Sequence, residues 1–179
     1  IKKHSILQQM DDYALEGKTP LVIVKDQLIV GLITIKDQVK ETSKHAIAAL
    51  VQKNIKVVML TGDNQKTAQS IAKEVGVSEV IADVLPTEKQ KVIQSLKTDE
   101  KHLVAMVGDG VNDALALMSA DLGIAIGGGS DVALESSDIV LLKNDLMDVL
   151  NVIALSKRVL NTIKMNLFWA FFYNLICVI

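Results

Sequence analysis

The stretch that decides the fold of this chain is VAMVGDGVNDALALMSADLGIAI, from Val104 to Ile126. Apolar runs stand at both of its ends, and its middle places two carboxylates and an amide within five residues, beside two glycines. A short apolar strand that leads through a polar turn into an amphipathic helix is typical of a parallel sheet covered by helices. No obvious nucleophile stands beside this acidic turn, so other turns of the sheet must supply the rest of any site.

The same alternation continues on both sides of this stretch. Strands are predicted in KVVML, EVIADV, HLVAMV, LGIAI and DIVLL, and helices in SKHAIAALVQ, TAQSIAKEVG, EKQKVIQSLK and NDALALMSA. Short apolar strands that alternate with amphipathic helices predict an α/β fold with a Rossmann-like parallel sheet, from about Ile35 to Leu155.

The N-terminal part of the chain has a different pattern. A weak helical pattern covers residues 1 to about 17, and Gly17 and Pro20 then interrupt it. The following LVIVKDQLIVGLITI consists of two β-rich runs on either side of Asp26 and Gln27, which predicts a β-hairpin.

The composition changes again near the C-terminus, where five of the six aromatic residues lie between Phe168 and Tyr173. The final segment FWAFFYNLICVI has no charged residue and follows three basic residues. It is shorter than the roughly 20 apolar residues of a spanning helix, so we interpret it as the first part of a membrane helix that has been cut. The basic flank predicts that residues 1–160 are cytoplasmic. The chain also begins with Ile1 and not with methionine. Together with the apolar tail, this predicts a piece of a longer protein.

The overall composition excludes some classes of function. The net charge is −2, and no basic cluster is interleaved with aromatic residues, so nucleic-acid binding is not expected. Cys177 is the single cysteine, which excludes an internal disulfide and fits a reducing compartment. Half of the residues are hydrophobic, which predicts a folded core and not a disordered chain.

Polar residues follow three of the predicted strands at the point where each strand ends. KVVML leads into Thr61, Gly62 and Asp63, HLVAMV leads into the acidic turn, and GLITI leads towards Asp37. The loop LPTEK also places Lys89 at the start of a helix. Ligands of parallel α/β sheets bind outside the carboxyl ends of the strands, so we expect these groups to converge on one edge.

These residue types suit a phosphoryl group with Mg²⁺. Thr61 and Gly62 offer a hydroxyl and an open backbone amide near a helix N-terminus, whereas the alternative is an ordinary loop in which Thr or Asp caps the helix. Asp109 and Asp113 are hard oxygen ligands suited to Mg²⁺, and Asn112 can donate to a phosphate oxygen. The alternative is that Asn112 or Asp109 caps the next helix, but one cap explains one polar residue and not three.

Phosphoryl transfer also needs a positive charge and a nucleophile. Lys89 would place a positive charge where negative charge develops in phosphoryl transfer, although a solvated surface lysine is the alternative. Transfer through a covalent intermediate also needs a nucleophilic aspartate at the end of another strand. Asp37 is a candidate by location, but Val39 stands two residues later, where a second acid or a threonine is missing. The nucleophile is therefore expected outside this chain.

Three motifs together resemble the phosphorylation domain of P-type ATPases, which belong to the haloacid dehalogenase superfamily. They are MLTGDN at residues 59–64, the lysine of LPTEK, and MVGDGVNDALAL at residues 106–117. The flanks SADLGIAIGGGSDVALESSDIVLL and IKMNLFWAFFYN are similar to the heavy-metal-transporting branch. The resemblance implies the end of a nucleotide-binding domain in residues 1–34, a phosphorylation domain in 35–155, and a linker helix with the start of a membrane helix in 156–179.

The resemblance also implies a role for each candidate residue. The catalytic set that it implies is Thr61, Gly62, Asp63, Lys89 and Asn112. The first two of these would hold the phosphoryl group, and the lysine would stabilise it. Asp109 and Asp113 would hold Mg²⁺, and Asp37 would be the acidic residue of the hinge into the phosphorylation domain. The phosphorylated aspartate of the family's DKTG motif does not occur in this sequence.

The activity implied by the resemblance is ATP-driven export of a metal cation through an aspartyl-phosphate, with Mg²⁺ and ATP as cofactors, in a bacterial plasma membrane. Tyr173 and Asn174 match a pair on the metal path of copper-transporting members, so the expected cargo is Cu(I); an interfacial aromatic belt is the alternative. Leu115 departs from the family's usual proline, and Cys177 and Ile179 depart from the Gly and Pro of copper members. The implied partners are ATP, a heavy-metal cation, a lipid bilayer and a metallochaperone.

Two other functions fit the same residues. One is a soluble phosphatase of the same superfamily that uses Asp37, against which the apolar tail argues. The other is a non-catalytic binding or regulatory module that has kept the fold.

Overall fold

A computed structural model of the chain describes residues 3–36, 38–97, 102–127 and 130–178. Its N-terminal part consists of helix α1 (Lys3–Leu15) and an antiparallel pair of strands, β1 (Thr19–Lys25) and β2 (Leu28–Ile35). Asp26 and Gln27 connect the two strands, and both adopt the left-handed conformation, with φ of 48° and 64°. Two consecutive left-handed residues twist a two-residue connection to match its strands, so the predicted hairpin is confirmed.

The rest of the described chain alternates between helices and strands. In chain order its elements are α2 (Glu41–Gln52), β3 (Val58–Leu60), α3 (Gln65–Val75), β4 (Glu79–Ile81), α4 (Pro86–Leu96), β5 (Ala105–Gly108), α5 (Ala114–Ser119), β6 (Leu122–Ile126), α6 (Asp131–Ser136), β7 (Ile139–Leu141) and α7 (Met147–Val178). The predicted alternation is therefore confirmed, with shorter strands than the apolar runs suggested.

The strands of this part pair in parallel, as predicted, but in two sheets. β3 pairs with β4, and β5, β6 and β7 form a three-stranded sheet in that order. GLITI (residues 31–35) is not a strand of the parallel sheets, because it belongs to β2, which pairs antiparallel with β1. Asp37, to which it leads, lies outside the described residues, and Gln38, Val39 and Lys40 after it line a groove together with Asp109. The tight turn at Asp26 and Gln27 holds β2 against β1, which accounts for this pairing.

Helix α6 was not predicted. Its N-cap is Ser130, whose Oγ accepts a hydrogen bond from the Ala133 amide at 3.2 Å. The glycines before Ser130 favoured a turn, and the six residues of α6 make fewer than two helical turns. Helix α5 is equally short but lies in the longer predicted run NDALALMSA.

Two apolar clusters join the parallel sheets into one packed unit. Ile93, Met106 and Leu117 lie in the first, between α4, α5 and the three-stranded sheet. The second lies between α2, α3 and β3 and contains Ile47, Ala72, Val75 and Val77. Leu60 packs on the first cluster and its neighbour Met59 on the second, because successive side chains of a strand point to opposite faces. β3 therefore connects the two halves of the core.

A groove of about 450 Å³ lies where β3 and β5 approach each other. Met59 of β3 lines it together with Val107, Gly108 and Asp109 of β5 and the turn after it. Among the described residues, β3 pairs only with β4 and β5 only with β6, so each strand keeps one unpaired backbone edge. Unpaired edges are ready templates for another strand.

Only the first turns of helix α7 pack against the three-stranded sheet. Val149 is buried and packs with Ile124 and Leu141, whereas every residue from Ala154 to Cys177 is exposed. No helix of the described ranges has a stretch long and apolar enough to cross a bilayer. The resemblance places a domain boundary after residue 155, but α7 continues through this position without a break. The domain boundaries therefore stay predictions.

Candidate functional site

The turn after β3 places a hydroxyl and a carboxylate next to each other. Thr61 Oγ1 donates to Asp63 Oδ2 at 3.0 Å and accepts a hydrogen bond from the Asp63 amide at 3.1 Å. The cap of α3 is instead Asn64, whose Oδ1 accepts from the Thr67 amide at 3.0 Å. The alternative in which Thr or Asp caps this helix was therefore wrong, and Thr61, Gly62 and Asp63 stand outside the capping interaction.

The acidic turn after β5 is organised around Asp109. One of its carboxylate oxygens accepts hydrogen bonds from the Val111 and Asn112 amides, each at 3.0 Å. The other oxygen accepts a hydrogen bond from Asn112 Nδ2 at 2.8 Å. Neither residue caps α5, because the N-cap position is held by Asp113, whose side chain makes no capping bond. The capping alternative was therefore wrong here as well.

Two glycines allow this turn to approach its neighbours. A Cβ on Gly108 would lie 2.6 Å from Asp113 Oδ2. Gly110 has a φ of 80°, and a Cβ there would lie 2.5 Å from the Cβ of Ala133, in α6. Any side chain at either position would therefore displace the acidic turn.

Lys89 and Asp113 form an ion pair at the centre of the site. Lys89 Nζ lies 2.6 Å from Asp113 Oδ1, and each side chain is only 13% exposed. The alternative of a solvated surface lysine was therefore wrong. Because Asp113 does not cap α5, its carboxylate is available to face Lys89 on α4.

The electrostatics of the site favour ionised Asp109. Partial burial raises the pKa of this carboxyl, but three hydrogen bonds, from the Asn112 side chain and the Asn112 and Val111 amides, lower it. The positive charge of Lys89 lowers it further, so the pKa lies below its ordinary value of 3.8. Two carboxylates therefore lie close to one ammonium group.

The donor set fits a magnesium ion that is shared with a phosphate. Among the residues that the structure describes, no group of three or more His, Cys, Asp or Glu side chains is arranged to hold a metal ion alone. Mg²⁺ usually takes one or two carboxylates and completes its shell with water and phosphate oxygens. Asp109 and Asp113 can supply such a pair.

The structure does not bring every candidate together. Asp37 lies outside the described residues. Tyr173 and Asn174 are exposed on the last turns of α7, about 40 Å along the helix from Met147 at its first residue. The expected metal path is therefore separate from the acidic turn.

The sequence analysis missed Asp83, between β4 and α4. Its Oδ2 accepts a hydrogen bond from the Gln65 amide, eighteen residues earlier, at 3.2 Å. No local pattern of residues indicates such a bond, because it depends on the parallel pairing of β3 with β4.

Comparisons with known proteins agree with the motifs. A family model described as haloacid dehalogenase-like hydrolase matches residues 2–121. The copper-exporting P-type ATPase of Staphylococcus haemolyticus (strain JCSC1435) is 49% identical over 98% of this chain. The copper-exporting P-type ATPase of Staphylococcus epidermidis (strain ATCC 12228) is 52% identical over 93% of it.

A solved structure shares the fold. The crystal structure of a zinc-transporting PIB-type ATPase is similar with a TM-score of 0.74 and 35% sequence identity, over 92% of this chain and 27% of the other. The chain spans about a fifth of the length of the two curated relatives, 22% of one and 21% of the other.

Proposed function

This chain belongs to the haloacid dehalogenase-like hydrolases, and we propose that it is the Mg²⁺- and phosphate-handling part of an ATP-driven metal exporter, a P-type ATPase that transports Cu(I). The observation that carries this proposal is the Lys89–Asp113 ion pair beside Asp109, on the turn that carries the family's motif. An arrangement of two carboxylates and a lysine at a parallel-sheet edge suits the transfer of a phosphoryl group.

Each residue of the site has a role in this proposal. Thr61 and Gly62 bind the phosphoryl oxygens through a hydroxyl and a backbone amide. The Thr61 hydroxyl proton turns from Asp63 Oδ2 to a phosphoryl oxygen when the phosphoryl group binds, and the Asp63 amide still donates to Thr61 Oγ1 and orients it. Lys89 compensates negative charge on the phosphoryl group, and Asn112 keeps Asp109 in place. Asp109 and Asp113 hold Mg²⁺, which neutralises phosphate oxygens when bound.

The nucleophile comes from a part of the protein outside this chain. The groove between β3 and β5 has an unpaired strand edge on each side and Asp109 in its lining. A strand that entered it in parallel would end near the turns after β3 and β5, where ligands of such sheets bind. Its aspartate would attack the γ-phosphorus of ATP, so that ADP leaves and an acyl phosphate forms. Water would then hydrolyse this acyl phosphate and release inorganic phosphate.

The relatives and the tail support the proposed cargo and location. The curated relatives are named copper-exporting, and Tyr173 and Asn174 match the pair of copper-transporting members. The solved structure of a zinc-transporting protein makes Zn²⁺ the competing cargo. In the intact protein, α7 would continue into a bacterial plasma membrane with residues 1–160 on the cytoplasmic side. A metallochaperone would deliver the metal.

Phosphorylation with labelled ATP tests the proposal. The full-length protein, incubated with Mg²⁺, Cu(I) and γ-labelled ATP, is expected to form an acid-stable, hydroxylamine-sensitive phosphoprotein, and Asp109→Asn to form about a hundredfold less. The 179-residue chain alone is expected to form none. A phosphoprotein formed by the chain alone would contradict the external nucleophile. Stimulation by Zn²⁺ and not by Cu(I) would contradict the cargo.

The rival functions predict other results. A soluble phosphatase would hydrolyse phosphate esters with this chain alone and lose that activity with Asp37→Asn. A non-catalytic module would show no response to Mg²⁺ with a phosphate mimic, in the original chain or in Asp109→Asn.

A further inference from the structure

Asp83 has an unusual backbone conformation. Its φ is 57°, in the left-handed region that residues other than glycine rarely adopt. Three other described residues besides glycine share this property: Asp26, Gln27 and Asn54. The first two form the hairpin turn, and Asn54 follows the end of α2. Asp83 lies in the connection between β4 and α4, so its conformation needs another explanation.

The contacts of Asp83 supply that explanation. Its amide donates to the Asp63 carbonyl oxygen at 2.9 Å, and its Oδ2 accepts a hydrogen bond from the Gln65 amide at 3.2 Å. On either side of Asp83, the Val84 amide donates to the Thr61 carbonyl at 3.2 Å, and the Ile81 carbonyl accepts from the Thr61 amide at 3.0 Å. The left-handed turn at Asp83 thus directs its amide and its carboxylate at the loop that follows β3.

We propose that Asp83 is a positioning residue that holds the loop at Thr61–Asn64 in the shape that receives the phosphoryl group. Asp83 bonds to the residues on both sides of Asn64, and its hydrogen bonds within the described part of the chain reach neither Thr61 Oγ1 nor the carboxylates of Asp109 and Asp113. This inference rests on the proposed function, because it takes this loop as the phosphate-binding loop.

A series of three substitutions separates the two contributions of the residue. Asparagine keeps both a hydrogen-bond acceptor and the tolerance for the left-handed conformation. Glycine keeps the conformation but loses the acceptor, and alanine loses both. Asp83→Asn should therefore preserve the loop, and Asp83→Gly and Asp83→Ala should release it.

Asp138 provides a matched control. Its amide donates to the Gly123 carbonyl at 2.9 Å, and its Oδ2 accepts a hydrogen bond from the Gly123 amide at 2.8 Å. It therefore connects the loop before β7 to β6 of the three-stranded sheet, with an amide and a carboxylate bond of the same kinds. Asp138→Ala removes a comparable bond from outside the proposed loop.

Amide hydrogen exchange of this chain gives the first test. We expect exchange of the Gln65 amide to become about fivefold faster in Asp83→Ala and Asp83→Gly, as for the loss of one hydrogen bond to a charged acceptor at the surface. Asp83→Asn should stay within about twofold of the original rate, and Asp138→Ala should leave Gln65 unchanged. Equal exchange at Gln65 in Asp83→Ala and in the original chain would overturn the proposal.

Inhibition of the full-length ATPase by orthovanadate, a phosphate mimic, gives the second test. Asp83→Ala is expected to raise the half-inhibiting concentration about fivefold with the KM for ATP within about twofold, and Asp83→Asn to restore it. If Thr61→Ala raises the half-inhibiting concentration and Asp83→Ala does not, the positioning role is wrong and the proposed function stands. If orthovanadate does not inhibit the original protein, the proposed function is wrong, and the positioning role for a phosphate loop is overturned with it.

Discussion

Lys89 Nζ and Asp113 Oδ1 lie 2.6 Å apart, although the two residues are 24 positions apart in the chain and belong to different helical segments. Both side chains are 13% exposed, so each charge depends on the other for most of its compensation. This pair joins the start of α4 to the acidic turn and places a cation beside two carboxylates.

Breaking this pair should cost stability. Lys89→Met leaves the Asp113 carboxylate poorly solvated without a partner, and we expect the free energy of unfolding to fall by about 2–3 kcal/mol. Urea denaturation of this chain measures the loss. Lys56→Met is the matched control, because Lys56 and Glu79 are also 2.6 Å apart but 69% and 39% exposed, and about 0–1 kcal/mol is expected. If both variants lost the same free energy of unfolding, burial would not make the Lys89–Asp113 pair more important for stability than an exposed pair.

The stability of the chain should respond to the ionisation of Asp109. Its pKa is below 3.8 in the folded state, so its contribution is fully present above that pH and is lost as pH falls through the folded pKa. Asn112→Ala removes the largest of the lowering effects, and because both side chains are exposed and solvent screens their interaction, the free energy of unfolding should fall at neutral pH by only about 0.5 kcal/mol. The difference between the variant and the original chain should shrink as pH falls below 3.8.

Thermal unfolding across this pH range measures the difference. Asn151→Ala is a suitable control, because Asn151 Nδ2 donates to Asp148 Oδ1 at 3.0 Å over the same spacing of three residues, at an exposed position of α7. A difference for Asn112→Ala that did not change with pH would mean that Asp109 ionisation is not involved.

Gly110 should tolerate no side chain. Gly110→Ala combines a left-handed φ of 80° with a Cβ placed 2.5 Å from the Cβ of Ala133, and we expect a loss of about 3 kcal/mol or more. Gly76→Ala is matched in conformation, with a φ of 85°, but its Cβ would meet nothing within 4 Å, so only about 1–2 kcal/mol is expected. Denaturant unfolding of both variants measures the additional cost of the steric clash with Ala133. Similar losses of unfolding free energy would argue against such a clash.

The cargo prediction can be tested at Asn174. Under the proposed function, in which α7 continues into a membrane, Asn174→Leu is expected to lower Cu(I)-stimulated ATP hydrolysis of the full-length protein by about tenfold, because a polar side chain in a membrane helix is costly unless it has a role. Phe171→Leu, at a similarly exposed position of α7, serves as the control and should retain activity. If both variants lose activity equally, the aromatic belt is the better explanation of this segment.

Local patterns were enough to predict most of the elements. Ala68, Ala72 and Val75 are buried on one side of α3 at helical spacing, and such a repeat is visible in the sequence. Asn64 caps that helix with a residue type that caps favour. Helix α6 was missed because the glycines before Ser130 indicated a turn, whereas α5, equally short, lies in the longer run NDALALMSA.

The pairing of the strands was predictable only in part. Short apolar strands between helices indicated parallel pairing, which β5, β6 and β7 confirm. GLITI was expected both in the hairpin and among the strands that end at the edge of that sheet, and its pairing with β1 through the turn at Asp26 and Gln27 decides for the hairpin. Composition alone does not distinguish the two kinds of strand, because both consist of similar apolar residues, although those of β2 are not buried.

By itself, the sequence determined which residues can do chemistry: the turns that carry Thr61, Asp109 and Asp113, each recognisable from polar residues that follow an apolar run. Tertiary structure alone decided which of them interact, as in the pairs Lys89 with Asp113 and Asp83 with Gln65. The physical reason is the distance along the chain over which each kind of interaction acts. Helical period, capping and turn chemistry act over a few residues, whereas these pairs form only after β3, β4 and β5 have packed and brought distant loops to one edge.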